Sequence, residues 1–145
     1  MALQSVKIGK NVTSIGSSAF SGCKKLKAVA MGKAVKSIGS SAFRGCTGLK
    51  TVKIERAVSI GAGAFQSCAS LKTVVTGSRL KTIGSNAFSG CKKLSSITLG
   101  KNVASLGVKA FYKCTALKKV TLPAKVSKVG KQAFDGCKSL KSITI

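Results

Sequence analysis

Hydrophobic residues recur along this chain at intervals of 22 or 23 residues. Each interval follows the pattern V-x-x-I-G-x-x-A-F-x-x-C-x-x-L-x-x-V-x-I, in which most x positions are polar or small. A cysteine always lies three residues after a phenylalanine, and a leucine follows each cysteine by three residues. Such regularity predicts a repeat architecture. The phenylalanines that mark its units are Phe20, Phe43, Phe65, Phe88, Phe111 and Phe134.

Each unit is predicted to contain two extended segments and one tight turn. The end of the unit alternates apolar and polar residues, as in residues 49–54 and 117–122, which is typical of a β-strand. The A-F-x-x-C-x-x-L segment advances in steps of three and predicts one tight helical or 3₁₀ turn. The Ile-Gly pair before it predicts a second, shorter extended segment that ends at a bend, where glycine permits a positive φ or a close approach of two backbones.

A unit of this length cannot bury its own apolar side, so we expect the units to stack into a solenoid with a shared core. The chain begins with a strand pattern at residues 3–8 and ends with one at residues 140–145. We therefore predict a single domain over residues 1–145, built from six full units and one leading strand, with seven parallel strands in all. We expect its interior to consist of ladders of aliphatic residues, phenylalanine, cysteine and leucine.

Composition narrows the range of functions. The 145 residues include 26 lysines and arginines, 2 acidic residues and no histidine, which gives a formal net charge of +24. The two acids, Glu55 and Asp135, lie too far apart in the sequence to indicate a catalytic pair. Because acid–base catalysis and metal binding usually use His, Asp, Glu or Cys, we expect neither an enzyme nor a cofactor. No apolar run is long enough for a transmembrane helix, and residues 1–10 lack the pattern of a secretion signal.

The repeat resembles the bacterial leucine-rich repeat of the BspA-like, or Treponema pallidum, type. Residues 12–26, V-T-S-I-G-S-S-A-F-S-G-C-K-K-L, match that pattern closely, and the resemblance covers essentially the whole chain. The family often places proline after the strand. Here only Pro123 does so, while the other turns use glycine, except at the shorter turn of residues 55–57.

The resemblance implies an α/β repeat solenoid of about six units, each of 22–23 residues. It implies a right-handed, curved stack whose parallel β-sheet lies on the concave side. It also implies export to a bacterial or protist surface and a role in adhesion and protein interaction, without catalysis.

The six cysteines allow more than one interpretation. We expect a ladder of small, buried, reduced thiols, because free cysteine packs as a small hydrophobic residue. Stacked cysteines would have Cα atoms about 4.8 Å apart, which is within disulfide range. Parallel Cβ directions oppose that bond, so disulfides between neighbouring units are the weaker alternative. A zinc site is weaker still, since no C-x₂-C pair and no histidine occur.

Lysines are the candidate ligand-binding residues. One column directly follows the ladder leucine on the strand of the predicted concave side, and only Ser95 interrupts it. Two further lysines lie within the strands themselves. A row of cations at steps of about 5 Å can follow an anionic polymer, although lysines at nearly every other outward position also fit an ordinary solvated surface. The candidates are Lys27, Lys50, Lys53, Lys72, Lys118, Lys119 and Lys141.

The sequence thus predicts a non-enzymatic interaction module of a bacterial cell-surface or secreted protein, which binds a protein or glycan through the concave strand face. The alternative is sequence-independent binding of an anionic polymer, such as teichoic acid, a sulfated glycan or nucleic acid, through the lysine-rich surface. Neither end carries the polar cap that solenoids need, so we expect a fragment whose open ends favour end-to-end self-association. We expect no insertion into a membrane.

Overall fold

Two series of short strands alternate along residues 2–145, which are the residues that the computed structural model describes. The longer strands follow the L-x-x-V-x-I pattern, and the two-residue strands precede the glycine of the Ile-Gly pair. The longer strands are β1 (Ser5–Lys7), β3 (Ala28–Ala30), β5 (Thr51–Ile54), β7 (Thr73–Thr76), β9 (Ser96–Thr98), β11 (Lys119–Thr121) and β13 (Ser142–Thr144). The two-residue strands are β2 (Ser14–Ile15), β4 (Ser37–Ile38), β6 (Ser59–Ile60), β8 (Thr82–Ile83), β10 (Ser105–Leu106) and β12 (Lys128–Val129).

All strand pairs are parallel and join strands one repeat apart. Val74 of β7, for example, lies between Val52 of β5 and Ile97 of β9. The two-residue strands form one six-stranded sheet, whereas the longer strands pair as three groups, β1–β3, β5–β7–β9 and β11–β13. The chain is therefore a parallel-strand β-solenoid of about six turns. The predicted seven longer strands and the second extended segment of each unit are confirmed.

The predicted helical turn is not found. Residues 2–145 contain no helix, so the α part of the α/β class is not confirmed. Each unit instead carries two residues with positive φ, one directly before the alanine and one directly before the cysteine, such as Ser18 at 58° and Gly22 at 76°. A right-handed helix cannot continue through left-handed residues. The segment is a series of turns that keeps the predicted step of three, because Cys23 N–H donates to Phe20 C=O over 3.2 Å and Leu26 N–H donates to Cys23 C=O over 3.0 Å.

A stack of phenylalanine rings runs through the core. Neighbouring ring centroids lie 5.2–5.4 Å apart, and the ring planes differ by 3–14°. The four central rings are fully buried, together with the alanine that precedes each of them. Burial decreases at the ends of the stack, where Val129 is 47% exposed and Ile143 is 41% exposed. The predicted ladders are thus confirmed in the central units, while the terminal units leave part of the same ladders open.

The cysteines form a ladder of free thiols. Each Sγ from Cys46 onward donates a hydrogen bond of 3.1 Å to the carbonyl oxygen of the phenylalanine in the preceding unit, for example from Cys91 to Phe65. Burial raises the pKa of Cys46 from its ordinary value of 9.0 to about 11 and that of Cys91 to about 12. The thiols of Cys46 and Cys91 therefore stay protonated at neutral pH, and each gives a second donor to a carbonyl group that already accepts the N–H of the cysteine in its own unit.

From the second unit onward, the glycine of the Ile-Gly pair is required by close contact between backbones, whereas a Cβ on Gly16 of the first unit would have no atom within 4 Å. A Cβ on Gly39 would lie 2.6 Å from the backbone nitrogen of Ser17, and a Cβ on Gly61 would lie 2.6 Å from that of Ser40. These glycines do not have positive φ, which falls on the neighbouring turn residues instead. Of the two reasons for glycine that the sequence left open, the structure selects the close approach.

Candidate functional site

The longer strands expose one continuous surface of small side chains. Burial alternates along six of the seven longer strands, as in β5, where Thr51 and Lys53 are exposed and Val52 and Ile54 are buried, whereas all three residues of β13 are exposed. We call the surface formed by the first and third residues of the seven longer strands the strand face. Serine, threonine and alanine occupy ten of its 14 positions. A partner can therefore come close to the sheet along the whole stack.

The predicted lysines lie at the strand face in two arrangements, and all seven are exposed. Lys53 and Lys119 are outward residues of β5 and β11. The other five each precede a longer strand and form a column along one margin of the strand face, here called the lysine column. Backbone bonds connect its units: Lys72 N–H donates to Lys50 C=O over 2.8 Å, and Ser95 N–H donates to Lys72 C=O over 3.1 Å. The members of the column are Lys27, Lys50, Lys72, Lys118 and Lys141.

Two breaks divide the ladder of longer strands, one between β3 and β5 and one between β9 and β11. The register and the repeat spacing align one turn residue from each unit, namely the residue directly after Ile8, Met31 and their equivalents in the other units. We call this set the turn column. Its members are Gly9, Gly32, Glu55, Gly77, Gly100 and Pro123. Glu55 and Pro123 belong to the two units that directly follow the breaks. In contrast, the units of β3, β7 and β9, which pair with the preceding unit, have glycine in the turn column.

Backbone contact explains why a side chain in the turn column interrupts the ladder. A Cβ on Gly32 would lie 2.7 Å from the carbonyl oxygen of Gly9, and a Cβ on Gly77 would collide with the carbonyl oxygen of Glu55. Paired units thus approach more closely at this position than a side chain permits. Glu55 and Pro123 hold their strands away from the preceding unit, and a groove opens at each break.

Proline interrupts the ladder for a second reason as well. Gly77 N–H donates to Ile54 C=O over 2.8 Å, which links β7 to β5 just beyond the paired residues. Pro123 occupies the equivalent position after β11 and has no N–H to donate. Gly100 N–H likewise donates to the preceding unit, to Thr76 Oγ1 over 2.8 Å. The break before β11 therefore lacks both the clearance of a glycine and the donor that Gly77 and Gly100 supply.

The larger groove lies between β9 and β11 and has a volume of about 920 Å³. Ile97, Leu99 and Pro123 contribute aliphatic surface to its lining, and two lysines, Lys101 and Lys125, contribute positive charge. This volume is in the range of ligand-binding clefts, which combine an apolar lining with a few placed polar groups.

Asn102 holds one of these lysines in place. Its Nδ2 donates to the carbonyl oxygen of Ser78 over 2.7 Å, and its Oδ1 accepts a bond of 2.6 Å from Lys125 Nζ. An ammonium group has three N–H donors, so Lys125 keeps two for a ligand. The groove therefore combines an aliphatic lining with a positioned cation.

The smaller groove lies between β3 and β5 and has a volume of about 340 Å³. Lys33, Lys53 and Glu55 all line it. Because a carboxylate stands among the lysines, its charge is mixed. Of the predicted candidate residues, only Lys53 lies in either groove.

The sequence pattern did not connect Lys101 and Lys125 with a site. The signal that marks their groove is Pro123, the only proline of the chain, at a position that is glycine in most units. The effect of a proline instead of a glycine at this position depends on the distance between neighbouring units. The seven predicted lysines lie along the stack and are not gathered into one pocket.

Among residues 2–145, no three His, Cys, Asp or Glu side chains lie together in a way that could hold a metal ion. Within the same range there is no helix of the length and hydrophobicity that crossing a membrane requires.

Comparison with known proteins identifies similar repeats. The sequence profile described as the BspA-type leucine-rich repeat region matches this chain in six copies, over residues 1–106 and 58–145. A search of curated protein sequences found no match.

Solved structures of bacterial leucine-rich repeat proteins are also similar. The structure of a leucine-rich cell surface protein from Faecalibacterium prausnitzii has a TM-score of 0.90 and 36% identity, and the match covers 97% of this chain and 38% of that protein. A leucine-rich repeat protein from Bacteroides ovatus has a TM-score of 0.74 and 31% identity over 98% of this chain and 33% of its own. The leucine-rich repeat protein of Treponema pallidum has a TM-score of 0.68 and 25% identity over 99% of this chain and 59% of its own. The chain thus spans less than two thirds of the length of each of these proteins.

Proposed function

Because the chain belongs to the BspA-type leucine-rich repeat family, as the sequence resemblance indicated, we propose that it is a non-enzymatic interaction module. It serves a bacterial cell-surface or secreted protein and binds a protein or glycan through the strand face. One similar structure is that of a cell surface protein, which supports this location. In this proposal the strand face is the concave side of a right-handed, curved stack, as the family resemblance implies.

The observation that carries the proposal is the strand face itself. Seven parallel strands present small outward side chains, and buried ladders of apolar residues support them from below. A surface that is already ordered loses little conformational entropy when a partner binds. The same surface has no cluster of acids or histidines that would perform chemistry.

Tyrosine substitutions that obstruct the strand face test this function. The triple variant Ala28→Tyr, Ser96→Tyr and Ser142→Tyr adds bulk at outward positions of β3, β9 and β13 without changing the charge. We expect binding of the fluorescently labelled protein to a cultured epithelial cell layer to fall about tenfold, because the rings prevent close approach. Flow cytometry measures the bound protein, and pretreatment of the cells with trypsin or with glycosidases separates a protein partner from a glycan.

A matched control places the same rings elsewhere. Ser17, Ser40 and Ala62 are exposed turn residues after the two-residue strands. Their triple substitution by tyrosine should leave cell binding within about twofold of the unsubstituted protein. Equal losses in the two triple variants, or no loss in either, would refute binding through the strand face.

Binding of an anionic polymer is the second candidate function, and the exposed lysine column favours it. A net charge of +24 attracts polyanions, and the column repeats one cation per unit except at Ser95. Binding to heparin and to duplex DNA over a salt series tests it, with the triple variant Lys27→Gln, Lys50→Gln and Lys72→Gln. The variant Lys10→Gln, Lys36→Gln and Lys81→Gln removes the same charge away from the column.

The salt dependence separates the two functions. Tight binding that persists above physiological salt, with a steep slope of log K against log salt, supports a polyanion site if only the lysine-column variant loses it. Weak binding that vanishes near physiological salt, with equal losses in both lysine variants, means that the lysines are surface charge. Protein or glycan partners of the strand face would then remain as the function.

Self-association through the ends of the stack is a separate proposal. Val129 and Ile143 belong to the ladders and are about half exposed, which leaves apolar surface for a second copy. Sedimentation velocity over a concentration series tests it. A single species that does not change with concentration would contradict it.

A further inference from the structure

We propose that the larger groove, between β9 and β11, binds an extended acidic peptide segment by enclosing one aliphatic side chain between two carboxylates. This inference rests on the proposed interaction function and assigns a site and a partner class within it.

The aliphatic lining favours a peptide over a carbohydrate. Ile97, Leu99 and Pro123 offer no hydrogen bonds from their side chains, and the only tyrosine of the chain, Tyr112, is not among the lining residues. A sugar ring pressed against this surface would leave buried hydroxyl groups without partners, which is costly. A leucine or isoleucine side chain would remove apolar surface from water on both sides of the contact.

The rim favours negative charge beside that side chain. Lys101 follows β9 and Lys125 follows β11, so the two ammonium groups come from neighbouring units on either side of the break. Asn102 positions Lys125 through the 2.6 Å bond and leaves it two free donors. No acidic residue lines the groove, so its lysines have no carboxylate of this chain as a lining neighbour. Carboxylates that flank an aliphatic residue in the partner would meet this pair of cations.

The open ladder suits an extended backbone. β9 pairs only with β7, and β11 pairs only with β13. Just before these two strands Lys118 N–H still donates to Ser95 C=O over 3.5 Å, so the facing edges are unpaired from there to the turn column. Extended peptides commonly bind at strand edges, where backbone groups give affinity and pockets select side chains. The smaller groove has the same kind of break, but Glu55 in its lining repels an acidic ligand. The larger groove is therefore the site to which we assign the peptide.

Pro123 supplies a direct test, because both of its effects can be separated. Pro123→Gly restores the N–H and removes the Cβ, so we expect β11 to pair with β9 and the groove to close. Pro123→Ala restores the N–H but keeps a Cβ. If β11 paired with β9, this Cβ would collide with the carbonyl oxygen of Gly100, just as a Cβ on Gly77 would collide with that of Glu55. We expect the alanine variant to keep the groove open.

The probe is the acetylated and amidated pentapeptide Asp-Glu-Leu-Glu-Asp. Titration into ¹⁵N-labelled protein should shift the amide signals of Thr98, Leu99, Asn102 and Thr121, next to the groove. We expect Pro123→Gly to weaken binding about tenfold and Pro123→Ala to change it less than about twofold. The peptide Asp-Glu-Ser-Glu-Asp, which lacks the aliphatic anchor, should bind about tenfold more weakly than the leucine peptide.

Charge variants keep the test valid if Pro123→Gly proves unstable. Lys101→Gln with Lys125→Gln should weaken binding of the leucine peptide about tenfold at physiological salt. Lys36→Gln with Lys81→Gln removes the same charge on the opposite side and should cost less than about twofold. Circular dichroism and thermal melting establish that each variant is folded before its binding is compared.

The outcomes distinguish this inference from the proposed function. Peptide binding that is unaffected by Pro123→Gly and equally reduced by both lysine pairs would overturn the groove site, while the strand face would still be tested by its own variants. Preferential binding of polygalacturonate at the same amide signals would overturn the peptide and assign the groove to a glycan. Loss of cell binding in the tyrosine triple variant alone would support the strand face without the groove.

Discussion

Each of the four central phenylalanine rings contacts the rings one repeat above and below it, so a single residue stabilises three units. Phe88 lies 5.4 Å from both Phe65 and Phe111, measured between ring centroids, and is fully buried. Ring pairs in such offset stacks contribute beyond their buried area. A solenoid has no other hydrophobic core that can compensate for a gap in this stack.

Phe88→Ala should therefore be among the most destabilising substitutions. We expect it to lower the free energy of unfolding by about 3–5 kcal/mol, because it leaves a cavity in the middle of the stack. Denaturant titration measures the change. The control is Val108→Ala at an exposed position, which should cost less than about 0.5 kcal/mol. A loss below about 1 kcal/mol for Phe88→Ala would contradict the assignment of the ring to the core.

The thiol ladder predicts an alkaline limit of stability. In the unfolded chain these thiols ionise near 9.0, but burial raises the pKa of Cys46 to about 11 and that of Cys91 to about 12. Between these values the folded state holds more protons than the unfolded state, so stability falls as the pH rises. Stability from this source is fully present below pH 9 and is lost as the pH rises through the folded-state values.

Denaturant titration at pH 8 and at pH 10.5 under reducing conditions checks this slope. Cys46→Ala with Cys91→Ala removes two of the thiols and should reduce the loss of stability between the two pH values by about 1–3 kcal/mol. The two proteins share all their other ionisable groups, so the difference between their slopes isolates the two thiols. Parallel slopes would contradict the role of burial.

At the scale of the strand and turn, the turn column decides which units pair. Glycine at this position lets two backbones meet, and a side chain separates them, as the contacts of Gly32 and Gly77 indicate. The pairing of the longer strands as two, three and two follows the positions of Glu55 and Pro123 in the chain. The two-residue strands have glycine after every strand and pair without a break.

Gly77→Ala should disrupt one step of this ladder. Its Cβ would collide with the carbonyl of Glu55, so β7 must move away from β5, and we expect a loss of about 1–3 kcal/mol in the free energy of unfolding. Gly9→Ala is the matched control, because its Cβ would meet only Val12 Cγ2 at 3.7 Å, an ordinary contact. If thermal and denaturant unfolding give equal losses for the two variants, backbone contact does not explain the breaks.

The whole molecule carries far more positive than negative charge, with 26 basic residues against 2 acids. Self-repulsion of this kind destabilises the compact state. Exposed charges interact over a Debye length of about 30 Å at 0.01 M salt and about 10 Å at 0.1 M salt. Added salt should therefore relieve the repulsion between units that are several repeats apart.

Thermal melting in sodium chloride should show this effect. We expect an increase in stability of about 1 kcal/mol from 10 to 150 mM salt, or roughly 2–4 °C in Tm. Sodium sulfate at the same ionic strength should give a similar increase if screening is the cause. A much larger increase with sulfate would point to bound anions, and a decrease with either salt would contradict net repulsion.

The repeat pattern alone determined much of the architecture. Phenylalanine, cysteine and leucine recur at fixed offsets, and because a unit of 23 residues cannot bury them alone, stacking and the inward ladders follow. The strand patterns and the family resemblance are local in the same sense, since they depend on residues within one unit. The candidate lysines were also placed on the strand face by their offset from the ladder leucine.

Only the tertiary structure decided the conformation of the turns and the spacing between units. The step of three fits a helical turn as well as a chain of turns, and left-handed residues such as Ser18 and Asn86 exclude the helix. The sequence does not reveal what a proline or glutamate in the turn column does, because the carbonyl oxygen that its side chain would meet belongs to another unit. The grooves, and the lysines beside Pro123, exist because backbones one repeat apart either touch or are held apart.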